Sequence, residues 1–100
     1  MADRLEDEEI ATRLADLPGW ERPDGTNAIR TTVKLADFAA ALRFVNAVGE
    51  LAEAAQHHPD IDIRWNKVTL VLSTHSAGGL TQLDFDLARQ IAEAARRSTA

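Results

Sequence analysis

The chain contains no cysteine and no tyrosine, and only five of its 100 residues are aromatic. Without cysteine, disulfide bonds and thiolate catalysis are excluded, and nothing indicates an oxidising compartment. With so few aromatic side chains, each one must anchor a large share of the hydrophobic core. The five are Trp20, Phe38, Phe44, Trp65 and Phe85.

Basic residues are also scarce, with 11 Lys and Arg against 16 Asp and Glu and a net charge of −5. Nonspecific binding to nucleic acid or to an anionic membrane requires a basic face, which this composition disfavours. No apolar run approaches the roughly 20 residues that span a bilayer. The N-terminal residues lack the basic-then-apolar pattern of a secretory signal. We therefore expect a cytoplasmic protein with neither nucleic-acid nor membrane partners.

The length of the chain favours one domain over residues 1–100, because independent folding units cluster at about 100–150 residues. The sequence shows no repeat, low-complexity tract or linker. A domain of this size exposes much of its surface, and a second subunit is a common way to bury more of it.

The first third of the chain predicts a helix and two strands. Ile10, Leu14 and Leu17 are spaced by four and three residues, as on one face of a helix. A short strand beginning at Trp20 precedes a turn. Residues 28–35 then alternate apolar and polar side chains, which is typical of a half-buried strand.

A second helix is predicted between Asp37 and Gln56. The acidic residue favours the positive end of the helix dipole, and Pro59 disfavours helical backbone at the residue before it. We expect the apolar face of this helix to carry Phe38, Leu42, Val45 and either Val48 or Ala52.

Two further alternating segments predict a β-hairpin with Asn66-Lys67 as its two-residue turn. Cross-strand partners on one face of such a hairpin pack against each other. This register places three apolar pairs on one buried face: Trp65 with Val68, Ile63 with Leu70, and Ile61 with Leu72.

The last segment predicts a third helix that begins with a capping box, because Thr81 is followed three residues later by Asp84. The resulting order is α-β-β-α-β-β-α. Hairpins favour antiparallel pairing, so we expect an α+β fold, a four-stranded antiparallel sheet with three helices packed on one face. The other face, or an edge of the sheet, is left for a partner.

All three histidines lie within 19 residues of each other, at His57, His58 and His75. If the hairpin register continues outward, His75 lies opposite His58. Imidazole exchanges protons near neutral pH, so such a cluster beside Glu53 and Asp60 would suit acid/base catalysis.

Two other interpretations of the histidines stay open. His57 and His58 could simply be solvated at the negative end of the second helix dipole. The three rings could instead bind a metal, although zinc requires three or four geometrically fixed ligands and the His-His pair is not a recognised ligand spacing.

The second half of the chain carries a distinctive set of residues at fixed separations: Glu53, His57, His58, Pro59, Trp65, His75 and Asp84. This arrangement resembles the signature of the pterin-4a-carbinolamine dehydratases, a family that also includes dimerisation cofactors of a homeodomain transcription factor. Asn66-Lys67-Val68 and the segment Leu72 to His75 are similar to the family as well. The resemblance extends over nearly the whole chain.

The resemblance implies the fold derived above and an assembly into homodimers or homotetramers. It implies an enzyme that removes water from the 4a-carbinolamine of a tetrahydropterin, left when an aromatic amino-acid hydroxylase has used tetrahydrobiopterin. The product is quinonoid dihydropterin, and neither a cofactor nor a metal is implied. The alternative is a non-enzymatic dimerisation or assembly partner built on the same scaffold.

The resemblance also implies roles for individual residues. His57 and His75 correspond to the catalytic acid/base pair. His58 and Glu53 correspond to substrate-binding or substrate-orienting residues, and so do Asp84 and Trp65. For the last two, helix capping by Asp84 and core packing by Trp65 remain admissible explanations.

Overall fold

A computed structural model describes residues 3–99, so residues 1, 2 and 100 of the expected domain lie outside the description. The predicted order of helices and strands is confirmed, with one unpredicted 3-10 turn added. The elements are α1 (Asp7–Leu14), β1 (Trp20–Glu21), β2 (Ile29–Lys34), α2 (Phe38–Ala55), β3 (Asp60–Arg64), β4 (Lys67–Leu72), the 3-10 turn (His75–Ala77) and α3 (Gln82–Thr99).

The four strands form one antiparallel sheet in the order β1-β2-β4-β3, which confirms the predicted sheet. The inner face of β4 presents Val68, Leu70 and Leu72, all fully buried. The helices cover this face, whereas Lys67 and Thr69 point to the other side. The alternation along β4 is therefore that of a sheet with one packed face and one open face.

The packed face of α2 differs from the predicted one. Its buried residues include Ala41, Phe44, Val48 and Ala52, spaced by three, four and four. Phe38 and Leu42 remain 47% and 41% exposed, so the expected face was wrong at these positions. Alanines make several faces of this helix apolar, and the larger side chains did not identify the one that meets the sheet.

The predicted start of α2 is confirmed, whereas α1 ends at Leu14, so Leu17 lies beyond the helix in which it was predicted. The Asp37 carboxylate accepts a hydrogen bond from the Ala40 N–H at 2.8 Å, which satisfies one of the free donors at the start of α2. α3 buries Phe85, Ala88 and Ile91 against the rest of the core. Within residues 3–99, no helix combines the length and the apolar character needed to cross a membrane.

The β3–β4 hairpin turns one residue earlier than predicted. Arg64 pairs with Lys67 across the strands, so Trp65-Asn66 forms the turn. Asn66 is buried, and it bonds the end of β2: its side-chain amide donates to the Leu35 carbonyl at 2.9 Å, and its own carbonyl accepts the Leu35 N–H at 2.8 Å. This attachment to β2 selects the turn, and turn chemistry alone could not reveal it.

The shifted turn moves Trp65 out of the core. Its side chain is 67% exposed and its φ is 52°, in the left-handed region, so the prediction of core packing was wrong. Ile63 faces Val68, and Ile61 faces Leu70. Both isoleucines remain on the predicted face but lie on an edge strand, where they are 36% and 40% exposed.

The turn position of Trp65 makes a prediction about stability. We expect Trp65→Asn to raise the free energy of unfolding by up to about 1 kcal/mol, because asparagine tolerates the left-handed conformation better. Trp65→Ala keeps the unfavourable backbone and serves as the control, with no gain expected. Chemical denaturation measures both variants. A loss of about 3 kcal/mol or more in Trp65→Asn would instead indicate that the tryptophan side chain is packed, in the core or against a second subunit.

Candidate active site

The position of His57 is set by the way α2 ends. Gln56 adopts a left-handed φ of 52°. The Gln56 N–H donates to the Glu53 carbonyl at 3.2 Å, and the His57 N–H donates to the Ala52 carbonyl at 3.1 Å. These two bonds form a Schellman motif, which closes the helix and directs the following residues away from its axis.

The imidazole of His57 contacts the carboxylate of Asp84 in the first turn of α3. His57 Nε2 lies 2.6 Å from Asp84 Oδ1, and the two side chains are 11% and 0% exposed. An ionised carboxylate can only accept hydrogen bonds, so Nε2 carries the proton and donates it. No hydrogen bond from residues 3–99 reaches Nδ1, which leaves that nitrogen for a ligand or water.

Asp84 is fully buried, and its second oxygen is also occupied. Oδ2 accepts from the Thr74 hydroxyl at 2.8 Å and from the Thr81 backbone N–H at 2.9 Å. The Thr81 hydroxyl in turn accepts the Leu83 N–H at 3.2 Å. The predicted capping box is therefore confirmed. Burial of a carboxylate is costly unless it is hydrogen-bonded, and here three protein donors meet that need.

His58 does not contact Asp84 but pairs with a different carboxylate, that of Glu53. Its Nε2 lies 2.5 Å from Glu53 Oε2, one turn back on α2. The two side chains are 60% and 73% exposed, and an ion pair so open to solvent contributes about 0–1 kcal/mol to stability. The contact therefore orients two exposed groups and is not needed to hold the fold together.

His75 begins the 3-10 turn that follows β4. Its side chain is exposed, and its Nε2 lies 3.5 Å from the Ser73 hydroxyl. The turn is closed by two backbone bonds between Thr74 and Gly79, at 3.0 and 3.3 Å. Gly78 ends it with a φ of 72°, a conformation that glycine adopts without strain.

The structure brings His57 and His75 to one corner of the molecule. Thr74 directly precedes His75 and binds Asp84, and Asp84 binds His57. The extrapolated pairing of His58 with His75 was wrong, because the β3–β4 ladder ends at Asp60 opposite Val71.

Trp65 lies apart from this corner. It sits at the far end of the β3–β4 hairpin, about 15 Å from the strand ends that lead to the histidines, at roughly 3.3 Å per residue. Within one chain, Trp65 is therefore too far from the histidines to share a binding site with them.

Sequence reasoning missed Thr74 as part of the site. A threonine beside a histidine is a common pair in any sequence, and only the fold shows that its hydroxyl reaches the buried carboxylate. The link between His57 and Asp84, 27 residues apart, was also not predicted from spacing. The capping box correctly located Asp84 but did not indicate that its other oxygen faces an imidazole.

The site is an open corner. Two grooves of about 700 and 580 Å³ lie elsewhere, the first between the α1–β1 region and α3 and the second between α2 and α3, and neither is lined by a histidine. Among residues 3–99, no three His, Asp or Glu side chains are grouped as a metal ion would require.

Comparison with known proteins gives a consistent result. The family model described as pterin 4 alpha carbinolamine dehydratase matches residues 3–94. A relative from Roseiflexus sp. (strain RS-1) is 63% identical over 93% of this chain and 98% of its own length. One from Nocardia farcinica is 60% identical over 92% of this chain and 95% of its own length. Both bear the provisional name pterin-4-alpha-carbinolamine dehydratase.

Solved structures share the fold. A transcriptional coactivator/pterin dehydratase from Brucella melitensis superposes with a TM-score of 0.90 at 36% identity, covering 93% of this chain and 99% of that one. A pterin dehydratase-like protein described as a RuBisCO assembly factor in the alpha-carboxysome has a TM-score of 0.64 at 20% identity, covering 77% and 89%, and so supports the fold alone. By the family match and by its relatives, the chain belongs to the pterin-4a-carbinolamine dehydratase family.

Proposed function

We propose that this protein dehydrates 4a-hydroxytetrahydropterins to quinonoid dihydropterins and so supports tetrahydrobiopterin recycling after an aromatic amino-acid hydroxylase. The observation that carries the proposal is the fixed imidazole of His57, held by buried Asp84 in the corner that also presents His75. Membership of the dehydratase family supports the choice of substrate.

The reaction requires two proton transfers and no redox change. The C4a–O bond breaks as the hydroxyl takes up a proton and leaves as water. The N5–H bond then gives up its proton, and the nitrogen electrons form the C4a=N5 double bond. Imidazole can donate or accept protons near neutral pH, so His57 and His75 are the proposed acid/base pair.

The Asp84 contact gives His57 a defined chemical state. With Nε2 committed to the carboxylate, Nδ1 is the nitrogen that meets the substrate. A carboxylate in this position fixes the orientation and tautomer of the ring, as in other acid/base sites built on histidine. Asp84 is therefore proposed to act through His57 and not by direct contact with the pterin.

His58 and Glu53 are proposed to orient the substrate. Their side chains are exposed and already paired, so they can exchange partners with the polar edge of a pterin at little cost. Trp65 receives no substrate role in this proposal, because it lies at the far end of the hairpin.

The acid/base assignment predicts the effect of removing each imidazole. We expect His57→Ala and His75→Ala each to lower kcat roughly 100-fold or more, the usual contribution of a positioned acid or base. The assay follows freshly generated 4a-hydroxytetrahydropterin by absorbance, corrected for its spontaneous dehydration. Circular dichroism and size-exclusion chromatography establish that the variants fold and assemble normally.

Full activity in both folded variants would contradict the acid/base assignment. An inactive wild type would contradict the proposed function itself. The wild-type rate is also measured after dialysis against EDTA and is expected to be unchanged. Loss of activity on chelation, restored by adding a metal, would favour the metal-binding interpretation of the histidines.

The surface pair makes a separate prediction. We expect His58→Ala and Glu53→Gln to raise KM several-fold with a smaller change in kcat, because both residues act in binding. The double variant should have a higher KM than either single variant, because each side chain is proposed to make its own contact with the substrate. An unchanged KM in both single variants would contradict the proposed binding role.

A second candidate role is that of an assembly partner. Five large apolar side chains on α2, on β3 and in the hairpin turn stay exposed in the single chain: Phe38, Leu42, Ile61, Ile63 and Trp65. We propose that they form one apolar surface, because exposed apolar patches mark interaction sites. The Brucella melitensis protein of the same fold is described as a transcriptional coactivator as well as a pterin dehydratase. A homodimer or homotetramer would cover this surface.

Light scattering tests the assembly directly. We expect Ile63→Lys on β3 to reduce the oligomer size, because a charge on the edge strand opposes pairing with a second copy. Leu83→Lys on α3 replaces a leucine of comparable exposure, 40%, outside this apolar surface and is the matched control. A wild-type monomer, or an unchanged oligomer in Ile63→Lys, would contradict an interface at β3.

A further inference from the structure

Two buried threonines lie beside the Asp84 carboxylate on the side opposite His57. Thr74 and Thr81 are 6% and 0% exposed, and their hydroxyl oxygens lie 2.9 Å apart. The Thr74 hydroxyl lies 2.8 Å from Asp84 Oδ2. Neither of these contacts is required by the helix cap itself, which uses the Thr81 N–H and the Leu83 N–H.

The direction of this hydrogen-bond chain follows from counting protons. Each hydroxyl has one proton to donate, and an ionised carboxylate has none. Thr74 therefore donates to Asp84, so the Thr74–Thr81 contact must use the proton of Thr81. The Thr81 oxygen remains free to accept the Leu83 N–H. The hydrogen bonds can therefore run in only one direction, from Thr81 to Thr74 and from Thr74 to Asp84.

Thr74 also connects the two proposed acid/base residues. Its hydroxyl holds the carboxylate that holds His57, and its peptide bond leads directly into His75. The backbone hydrogen bonds between Thr74 and Gly79 close the 3-10 turn that contains His75. Thr74 therefore supports the His57 ring through Asp84 and fixes the backbone position at which His75 begins.

We propose that Thr74 is a positioning residue for the acid/base pair: its hydroxyl orients Asp84 so that His57 keeps its proton on Nε2 and presents Nδ1 in register with His75. The expected effect on catalysis rests on the proposed function, whereas the expected effect on the orientation of Asp84 and on the His57 tautomer does not. Without the hydroxyl, Oδ2 loses a donor and the buried carboxylate must rotate or admit water to replace it.

Three variants test the role. Thr74→Val removes the hydroxyl while keeping the shape of the side chain, and Thr74→Ser restores the hydroxyl. Thr69→Val is the matched control on the preceding strand, because Thr69 also makes a hydroxyl–hydroxyl contact, 2.9 Å to Thr32, on the open face of the sheet. Each variant is assayed for kcat and KM and is examined by imidazole ¹H–¹⁵N correlation NMR.

We expect Thr74→Val to lower kcat roughly 10- to 100-fold, as displacement of a catalytic group by about 1 Å does, with KM changed less than about 3-fold. Its His57 signals should shift from the Nε2–H form toward a mixture of tautomers. Thr74→Ser should recover most of kcat and the wild-type tautomer, and Thr69→Val should match wild type in both measurements.

Wild-type kcat in folded Thr74→Val, with His57 still in the Nε2–H form, would overturn the inference. If Thr74→Val does not fold, Thr74→Ala carries the same prediction, and wild-type values there overturn it equally. The NMR measurement does not depend on turnover. An inactive wild type that shows the predicted tautomer change would therefore count against the proposed function and not against the role of Thr74.

Discussion

The site depends on one buried carboxylate. Asp84 has no exposed surface, and an ionised acid in that position is tolerated only because the fold supplies donors on both oxygens. One of its three contacts is local, since the Thr81 N–H closes the first turn of α3. A second contact joins Asp84 to Thr74, and the third extends to the end of α2 and holds His57. A single side chain thus joins helix capping to the placement of an imidazole, so the start of α3 cannot move without disturbing the site.

Much of this arrangement could be predicted from the sequence because several signals are local. Asp37, Thr81 and Asp84 are capping residues, and capping depends on separations of two or three positions along the chain. The alternation of β2 and β4 reflects a sheet with one packed face. The family resemblance added the roles of the histidines, which their spacing could not distinguish from solvation or metal binding.

The features that escaped prediction depend on tertiary contacts. The hairpin turn shifted by one residue because Asn66 bonds Leu35 at the end of β2. The packed face of α2 was misjudged because Phe38 and Leu42 are large and apolar yet lie beside the buried stripe. Thr74 lies in a segment that resembles the family, but its role was not predicted, since its hydroxyl becomes significant only when α3 brings Asp84 to it. Local pattern determines which elements form, and packing between elements determines which neighbours they meet.

The 27-residue separation of His57 and Asp84 has a consequence for biosynthesis. On the ribosome, the peptide bearing His57, His58 and even His75 emerges before α3 is complete. Until α3 docks, the Asp84 carboxylate cannot hold the His57 ring. The support of this imidazole therefore requires the tertiary contact between the start of α3 and the end of α2, and neither element supplies it alone.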